Sequence, residues 1–65
     1  MSRAIVRLST WHNTSSDENC YVGDIYISDC GSAIICVTSK DTGYYDEWSL
    51  HDFYREFTFV SEESL

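Results

Sequence analysis

The chain has 65 residues, of which eleven are acidic and four are basic, giving a formal net charge of −7. This charge disfavours direct binding to nucleic acid or to an anionic membrane, because both require Lys and Arg to neutralise phosphates. A single domain, 1–65, of this size buries only about 60% of the surface that its unfolded chain exposes, which leaves little volume for a catalytic cleft. We therefore expect a protein that is not an enzyme. We also expect it in the cytoplasm, since no stretch has the composition of a signal peptide or a membrane span.

Three cysteines, Cys20, Cys30 and Cys36, form no C-x-x-C pair. The spacing therefore predicts neither a zinc ribbon nor a thiol redox motif. His12 and His51 stand alone, whereas structural zinc sites take their ligands in close pairs. We expect no metal or other cofactor and reduced cysteines, with Cys36 acting as a small buried hydrophobic side chain.

The N-terminal half predicts three strands. Apolar alternation over 3–8 places Ala4, Val6 and Leu8 on one face of a first strand, and the polar run 9–19 predicts a loop with Trp11 as its aromatic anchor. Residues 20–28 predict a second strand, and 33–39 a third that is apolar on both sides. Gly- and Asp-containing turns are expected at 29–32 and 40–43. One face of the second strand should carry Tyr21, Gly23, Ile25 and Ile27.

The C-terminal half predicts a strand, a helix and a last strand. In 44–49 the alternation places Tyr44 and Trp48 on a face assigned mainly to the core, with Asp46 at the wet edge of that face, and Tyr45 and Glu47 on the opposite face. Whether Tyr45 is exposed decides whether this segment forms a binding surface. Ser49 should cap a short helix, with Asp52 completing a capping box. The apolar positions of that helix are Leu50, Phe53, Tyr54 and Phe57. Residues 57–61 read as the last strand, and the C-terminal 61–65 as a tail that frays.

This order of elements predicts a mainly β fold: a small, SH3-like, strongly bent antiparallel barrel of about five strands with one short helical turn before the last strand. The alternative is a three- or four-stranded antiparallel sheet with the helix on one face.

The run YVGDIYISDCGSAIICV, followed by GYYDEWSLHDFYREFTFV, resembles small domains encoded in bacteriophages and prophages. The resemblance lies in a glycine-aspartate pair that opens a strand, here Gly23-Asp24, and in a closing phrase L-x-x-F-x-x-x-F-x-x-V from Leu50 to Val60. It spans residues 21–60 and implies a compact β-barrel and an accessory role. Short acidic phage proteins often disable a host enzyme, nuclease or defence complex, so inhibition of a host protein is the implied function.

Carboxylates are concentrated in residues 41–56, where Arg55 is the one basic side chain. Asp52 and Glu56 are four apart on the predicted helix and share a face. Aromatic side chains supply most of the energy of a protein interface, while charges steer approach. We therefore expect a partner-binding surface for the basic surface of a host protein, formed by Tyr45, Asp46, Glu47, Asp52, Glu56 and Trp11.

Other functions fit the same composition. The carboxylates could imitate DNA phosphates and occupy the basic groove of a nucleic-acid enzyme. A homo-oligomer could bind a nucleotide between subunits if Arg3, Arg7, Lys40 and Arg55 converge. The protein could also be a plain structural subunit. The simplest interpretation of the carboxylates is a solvated acidic face that only confers solubility.

Overall fold

A computed structural model describes residues 4–62 of the chain. The elements are β1 (Thr10–Asn13), β2 (Glu18–Ile27), β3 (Ala33–Ser39), β4 (Tyr45–Ser49), α1 (Leu50–Glu56) and β5 (Phe57–Ser61). The strands are all antiparallel and form one sheet in the order β4-β3-β2-β1-β5. The prediction of five strands and one short helix before the last strand is confirmed. The sheet is not closed, because no pairing joins β4 to β5 among the described residues, so "barrel" applies only loosely.

The first strand lies later in the chain than the apolar alternation predicts. The predicted inward residues Val6 and Leu8 are 48% and 55% exposed, while Ile5, predicted to face away from them, packs against the core. The strand β1 occupies part of the predicted loop, and its Trp11 is 2% exposed. The prediction of a strand over 3–8 is therefore wrong for residues 4–8, and residue 3 lies outside the described part of the chain. Burying the large indole, which no residue of 3–8 matches in apolar area, decides which segment pairs with β2.

Strand β2 contains a bulge that changes which residues face the core. Val22 pairs with Val37 and Ile25 pairs with Ile35, so two residues of β2, at 23 and 24, stand opposite a single residue of β3. Both Val22 and Ile25 consequently face the core, although strict alternation would place them on opposite faces. The predicted face shared by Tyr21, Gly23, Ile25 and Ile27 is thus wrong. Gly23, predicted to open the strand, lies at this bulge in its middle.

The remaining elements follow their local sequence closely. Strand β3 covers the predicted residues 33–39, and Cys36 is buried as expected, at 4% exposure. Gly31 and Gly43 adopt positive φ angles of 88° and 78° in the two predicted turns. Strand β5 covers the predicted 57–61, so Ser61 belongs to that strand, and residues 63–65 of the predicted tail lie outside the described part of the chain.

The core lies between one face of the sheet and α1. Phe53 of α1 is fully buried and stacks on Phe57 with the ring centroids 4.5 Å apart. Its ring also packs edge to face with Trp11, with the ring centroids 4.8 Å apart. The Ser49 hydroxyl oxygen accepts a hydrogen bond from the backbone N–H of Asp52, as an N-cap does. The cap fixes where the helix begins, and the helix then places Phe53 over the sheet.

Candidate functional site

The two faces of β4 present different chemistry. Trp48 pairs with Ile35 of β3 on the core side, and its ring packs against that of Phe57 with the ring centroids 5.3 Å apart. Tyr45 and Glu47 point to the opposite face, and Tyr45 is 54% exposed. The prediction that these two residues lie on the face opposite Trp48 is confirmed. The sequence GYYDEW therefore divides between a solvent-facing surface and the core side of the sheet.

The solvent-facing side holds one carboxylate between two phenols. Glu47 accepts a hydrogen bond on Oε1 from the hydroxyl of Tyr26, at 3.0 Å, and another on Oε2 from Tyr45, at 2.7 Å. Tyr26 comes from β2 and Tyr45 from β4, so the contact spans β3, where Cys36 lies opposite Glu47. We call this the outer surface, defined by Tyr26, Tyr45 and Glu47, with the buried Cys36 beneath it.

Hydrogen bonding sets the protonation of the outer surface. The pKa of Tyr45 is raised first by its hydrogen bond with the Cys36 thiol and then by that with Glu47. The hydrogen bond to Glu47 also raises the pKa of Tyr26. Both phenols therefore remain protonated donors at neutral pH, and together they hold the carboxylate in one orientation. The result is a preorganised aromatic and acidic patch.

Sequence reasoning did not select Tyr26 as a site residue. Strict alternation in β2 puts residues 20, 22, 24 and 26 on one face, which would place Tyr26 with the buried Cys20 and Val22. The bulge at residues 23 and 24 moves Tyr26 to the outer face instead, where it reaches Glu47. An isolated glycine inside a strand is the available signal, since it marks possible bulges, but it does not say which residues are redirected.

The acidic pair on the helix is satisfied within the molecule. Arg55 lies between the two carboxylates, with Nη2 3.1 Å from Asp52 Oδ1 and Nε 3.4 Å from Glu56 Oε2. The Ser15 hydroxyl also donates to Glu56. Because Phe53 anchors α1 on the core side of the sheet, this pair lies on a different side from the outer surface. The structure does not bring Asp52 and Glu56 together with Tyr45 and Glu47.

Two other predicted site residues lie elsewhere. Trp11 is buried, and its indole N–H donates to the hydroxyl of Ser9 at 2.9 Å. The prediction that Trp11 meets a partner from a surface loop is therefore wrong, because its side chain belongs to the core. Asp46 is half-buried at the rim of the core side, and its Oδ1 accepts from the backbone N–H of Glu47 at 2.9 Å.

Asp46 also borders a small cavity at the end of the sheet where the β1–β2 turn faces β4. Its volume is about 140 Å³. Tyr44 stands at its edge with 69% of its surface exposed, so the prediction that Tyr44 belongs to the core is wrong. The reason is that β4 begins one residue later, which leaves Tyr44 at the rim of the sheet. We call this cavity the inner pocket, defined by Glu18, Tyr44, Asp46, Trp48 and Phe57.

The basic residues do not gather into one site among the residues described. Arg55 is engaged by Asp52 and Glu56, and the Nε of Arg7 donates to the carbonyl of Gly23 at 3.1 Å. Lys40 borders a shallow groove of about 530 Å³ together with Tyr21. Arg3 lies outside the described residues. The convergence that a nucleotide site would need is thus not present within 4–62.

Within residues 4–62, no group of three or more His, Cys, Asp or Glu side chains is arranged to hold a metal ion. The helix of that range is not long and apolar enough to cross a membrane. The chain matches no protein-family model, no curated protein and no solved structure. The two faces of β4 are therefore the features of the molecule that bear on its function.

Proposed function

We propose that this protein is a non-catalytic accessory factor of a phage that binds the basic surface of a host protein through its outer surface. The host protein is a nucleic-acid-processing or defence protein in the cytoplasm, and binding inhibits it. The observation that carries the proposal is the exposed pair of phenols, from Tyr26 and Tyr45, held on the Glu47 carboxylate.

Preorganisation supports a binding role for this surface. Binding normally loses affinity because side chains must be immobilised, and the hydrogen bonds to Glu47 already restrain both rings. Tyrosine is enriched among the residues that dominate interface energies. Each carboxylate oxygen of Glu47 has a further lone pair that can accept from a Lys or Arg of the partner. The net charge of −7 favours encounter with a basic surface.

The test begins with a tagged protein incubated with bacterial lysate at low ionic strength, followed by affinity measurement on the purified partner. Tyr45→Ala is expected to raise the dissociation constant about 30-fold, as an aromatic hot spot does. Val60→Ala is the matched control, because Val60 is 51% exposed but lies on β5 at the other edge of the sheet. Equal affinities for the Tyr45→Ala and Val60→Ala variants would contradict the proposal.

The same partner separates this mechanism from imitation of DNA. If carboxylates alone imitate phosphates, neutralising Asp46, Glu47, Asp52 and Glu56 together abolishes inhibition while Tyr45→Ala barely changes it. Under our proposal Glu47→Gln weakens binding and Asp52→Asn does not, because Asp52 is occupied by Arg55. Inhibition of the partner, assayed on each variant, measures the difference.

A further inference from the structure

The inner pocket has the size of a side-chain head group. Its volume of about 140 Å³ equals that of four or five water molecules at about 30 Å³ each. Pockets for small-molecule ligands usually begin at about 300 Å³. A nucleotide or a comparable metabolite is therefore too large for it, whereas one side chain of a protein partner is not.

The charge of the inner pocket is negative. Glu18 and Asp46 line it, and no Lys, Arg or His is among the described residues that border it. The buried Cys20 thiol at its wall responds to this field: its pKa is raised first by burial, then by the charges of Glu18 and Asp41. A cation is consequently the ligand that the pocket favours.

Aromatic rings form another part of the wall. Trp48 and Phe57 meet edge to face at an interplanar angle of 82°, and Tyr44 stands at the rim. The face of an indole ring attracts a cation, and this attraction grows when the site is partly shielded from water. Arginine combines two properties that suit such a wall, since its planar guanidinium group stacks on rings and bonds carboxylates in a fork.

Other polar atoms that border the pocket already hold turns in place. The side-chain carbonyl of Asn13 accepts from the backbone N–H groups of Ser15 and Ser16. The Ser39 hydroxyl accepts from the backbone N–H groups of Asp41 and Thr42. Asp46 uses one oxygen toward the N–H of Glu47, but a carboxylate offers about four acceptor positions. The carboxylates thus supply the acceptors for an incoming donor group.

We propose that the inner pocket receives an arginine side chain from the basic surface of the protein partner, with the guanidinium group against Trp48 and bonded to the carboxylates of Asp46 and Glu18. The partner's identity as a protein rests on the proposed function. The preference of the pocket for a guanidinium group does not, and a free arginine derivative tests it alone.

The experiment titrates N-acetyl-arginine methylamide into the isotope-labelled protein and follows its amide and indole resonances. We expect saturable shifts of the Trp48 indole N–H and the Asp46 amide, while the buried indole of Trp11 stays unchanged as an internal control. The citrulline derivative is the matched neutral probe, because it has nearly the same shape without the charge. We expect it to bind about tenfold more weakly, since two partly exposed charge pairs are lost.

Isosteric variants locate the site. Asp46→Asn is expected to raise the dissociation constant of the arginine derivative about threefold, and Asp46→Asn with Glu18→Gln about tenfold, the scale of partly exposed ion pairs. Glu47→Gln, which removes a charge from the outer surface on the same strand, should leave the dissociation constant of the arginine derivative unchanged. These substitutions preserve side-chain size, and the dispersion of the amide spectrum verifies that each variant is folded.

Three results would overturn the proposal. Equal binding of the citrulline derivative would remove the role of charge, equal binding of a lysine derivative would remove the preference for guanidinium, and shifts confined to Tyr26 and Tyr45 would place the cation on the outer surface. The two proposals also fail separately. If the arginine derivative causes no shift at Trp48, the inner-pocket proposal fails, while the effect of Tyr45→Ala on partner binding can still be observed. If Tyr45→Ala does not change partner binding, the proposed function fails, while the arginine titration can still show binding at the inner pocket.

Discussion

Strand β4 separates two regions that look alike in sequence and differ in physical role. On the outer surface, Tyr45 and Glu47 form a hydrogen-bonded patch in which more than half of the Tyr45 surface stays exposed. On the core side, Trp48 packs against Phe57 and at the same time forms a wall of the inner pocket. The difference teaches that adjacent residues of one short strand carry separate tasks, because alternation in a strand assigns each to its own environment.

The sharpest way to break this comparison is to truncate one aromatic ring on each face. Trp48→Ala is expected to lower the free energy of unfolding by about 2–4 kcal/mol, because it leaves a cavity beside Phe57. That is a large share of the stability of a 65-residue domain. Tyr45→Ala should cause a much smaller loss, since its ring is more than half exposed. Urea unfolding followed by circular dichroism measures both.

Equal losses for the two substitutions would show that the outer surface is part of the stabilising core. The comparison would then no longer support a separate binding role for Tyr45. Tyr45→Phe provides the control, because it keeps the ring and removes only the hydroxyl that donates to Glu47.

The local parts of this division could be predicted from the sequence. Alternation in 44–49 assigned Tyr45, Glu47 and Trp48 to the correct faces, and the cap at Ser49 marked the start of the helix. The assignment of Tyr44 to the core was wrong because alternation does not say where the first residue of the strand lies. These successes depend on short-range patterns that tertiary contacts do not change.

The long-range parts could not be predicted in the same way. Trp11 sits among polar residues, and only its packing against Phe53, 42 positions later, makes its segment a strand. The contact of Tyr26 with Glu47 requires a bulge, and the inner pocket requires the turn near Glu18 to face β4. Pairing register and loop approach are tertiary properties, which a single sequence specifies only weakly.

Cysteine reactivity sharpens the comparison, because each face of β4 covers one thiol. Cys36 lies beneath the outer surface and Cys20 borders the inner pocket, and both are 4% exposed. Tyr45→Ala should increase the rate of Cys36 labelling relative to Cys20 by about tenfold, the change that about 1.4 kcal/mol in a local opening free energy produces. A thiol reagent with peptide mass spectrometry identifies the site.

The third thiol calibrates that measurement. Cys30 is exposed in the β2–β3 turn, and hydrogen bonds first from Ser28 and then from Ser32 lower its pKa. It should react first in every variant, because the thiolate is the reactive form. Parallel acceleration of Cys20 and Cys36 would indicate global unfolding and would contradict separate coverage by the two faces.

The smallest expected effect is the share of the pH dependence of stability that the two phenols of the outer surface contribute. The folded-state pKa values of Tyr26 and Tyr45 are raised above the unfolded value of about 10. Their contribution to stability is therefore complete below about pH 10 and is lost as the pH rises through the folded-state values, since the unfolded chain releases those protons first.

Glu47→Gln removes one cause of both shifts and should make this alkaline loss shallower. Unfolding free energies in urea between about pH 9 and about pH 11 test this change of slope. Asp24→Asn is the control, because it removes an exposed charge on a different strand, β2. An unchanged slope in Glu47→Gln would mean that the phenols do not depend on this carboxylate, and the outer surface would lose the contact that distinguishes it from the core side.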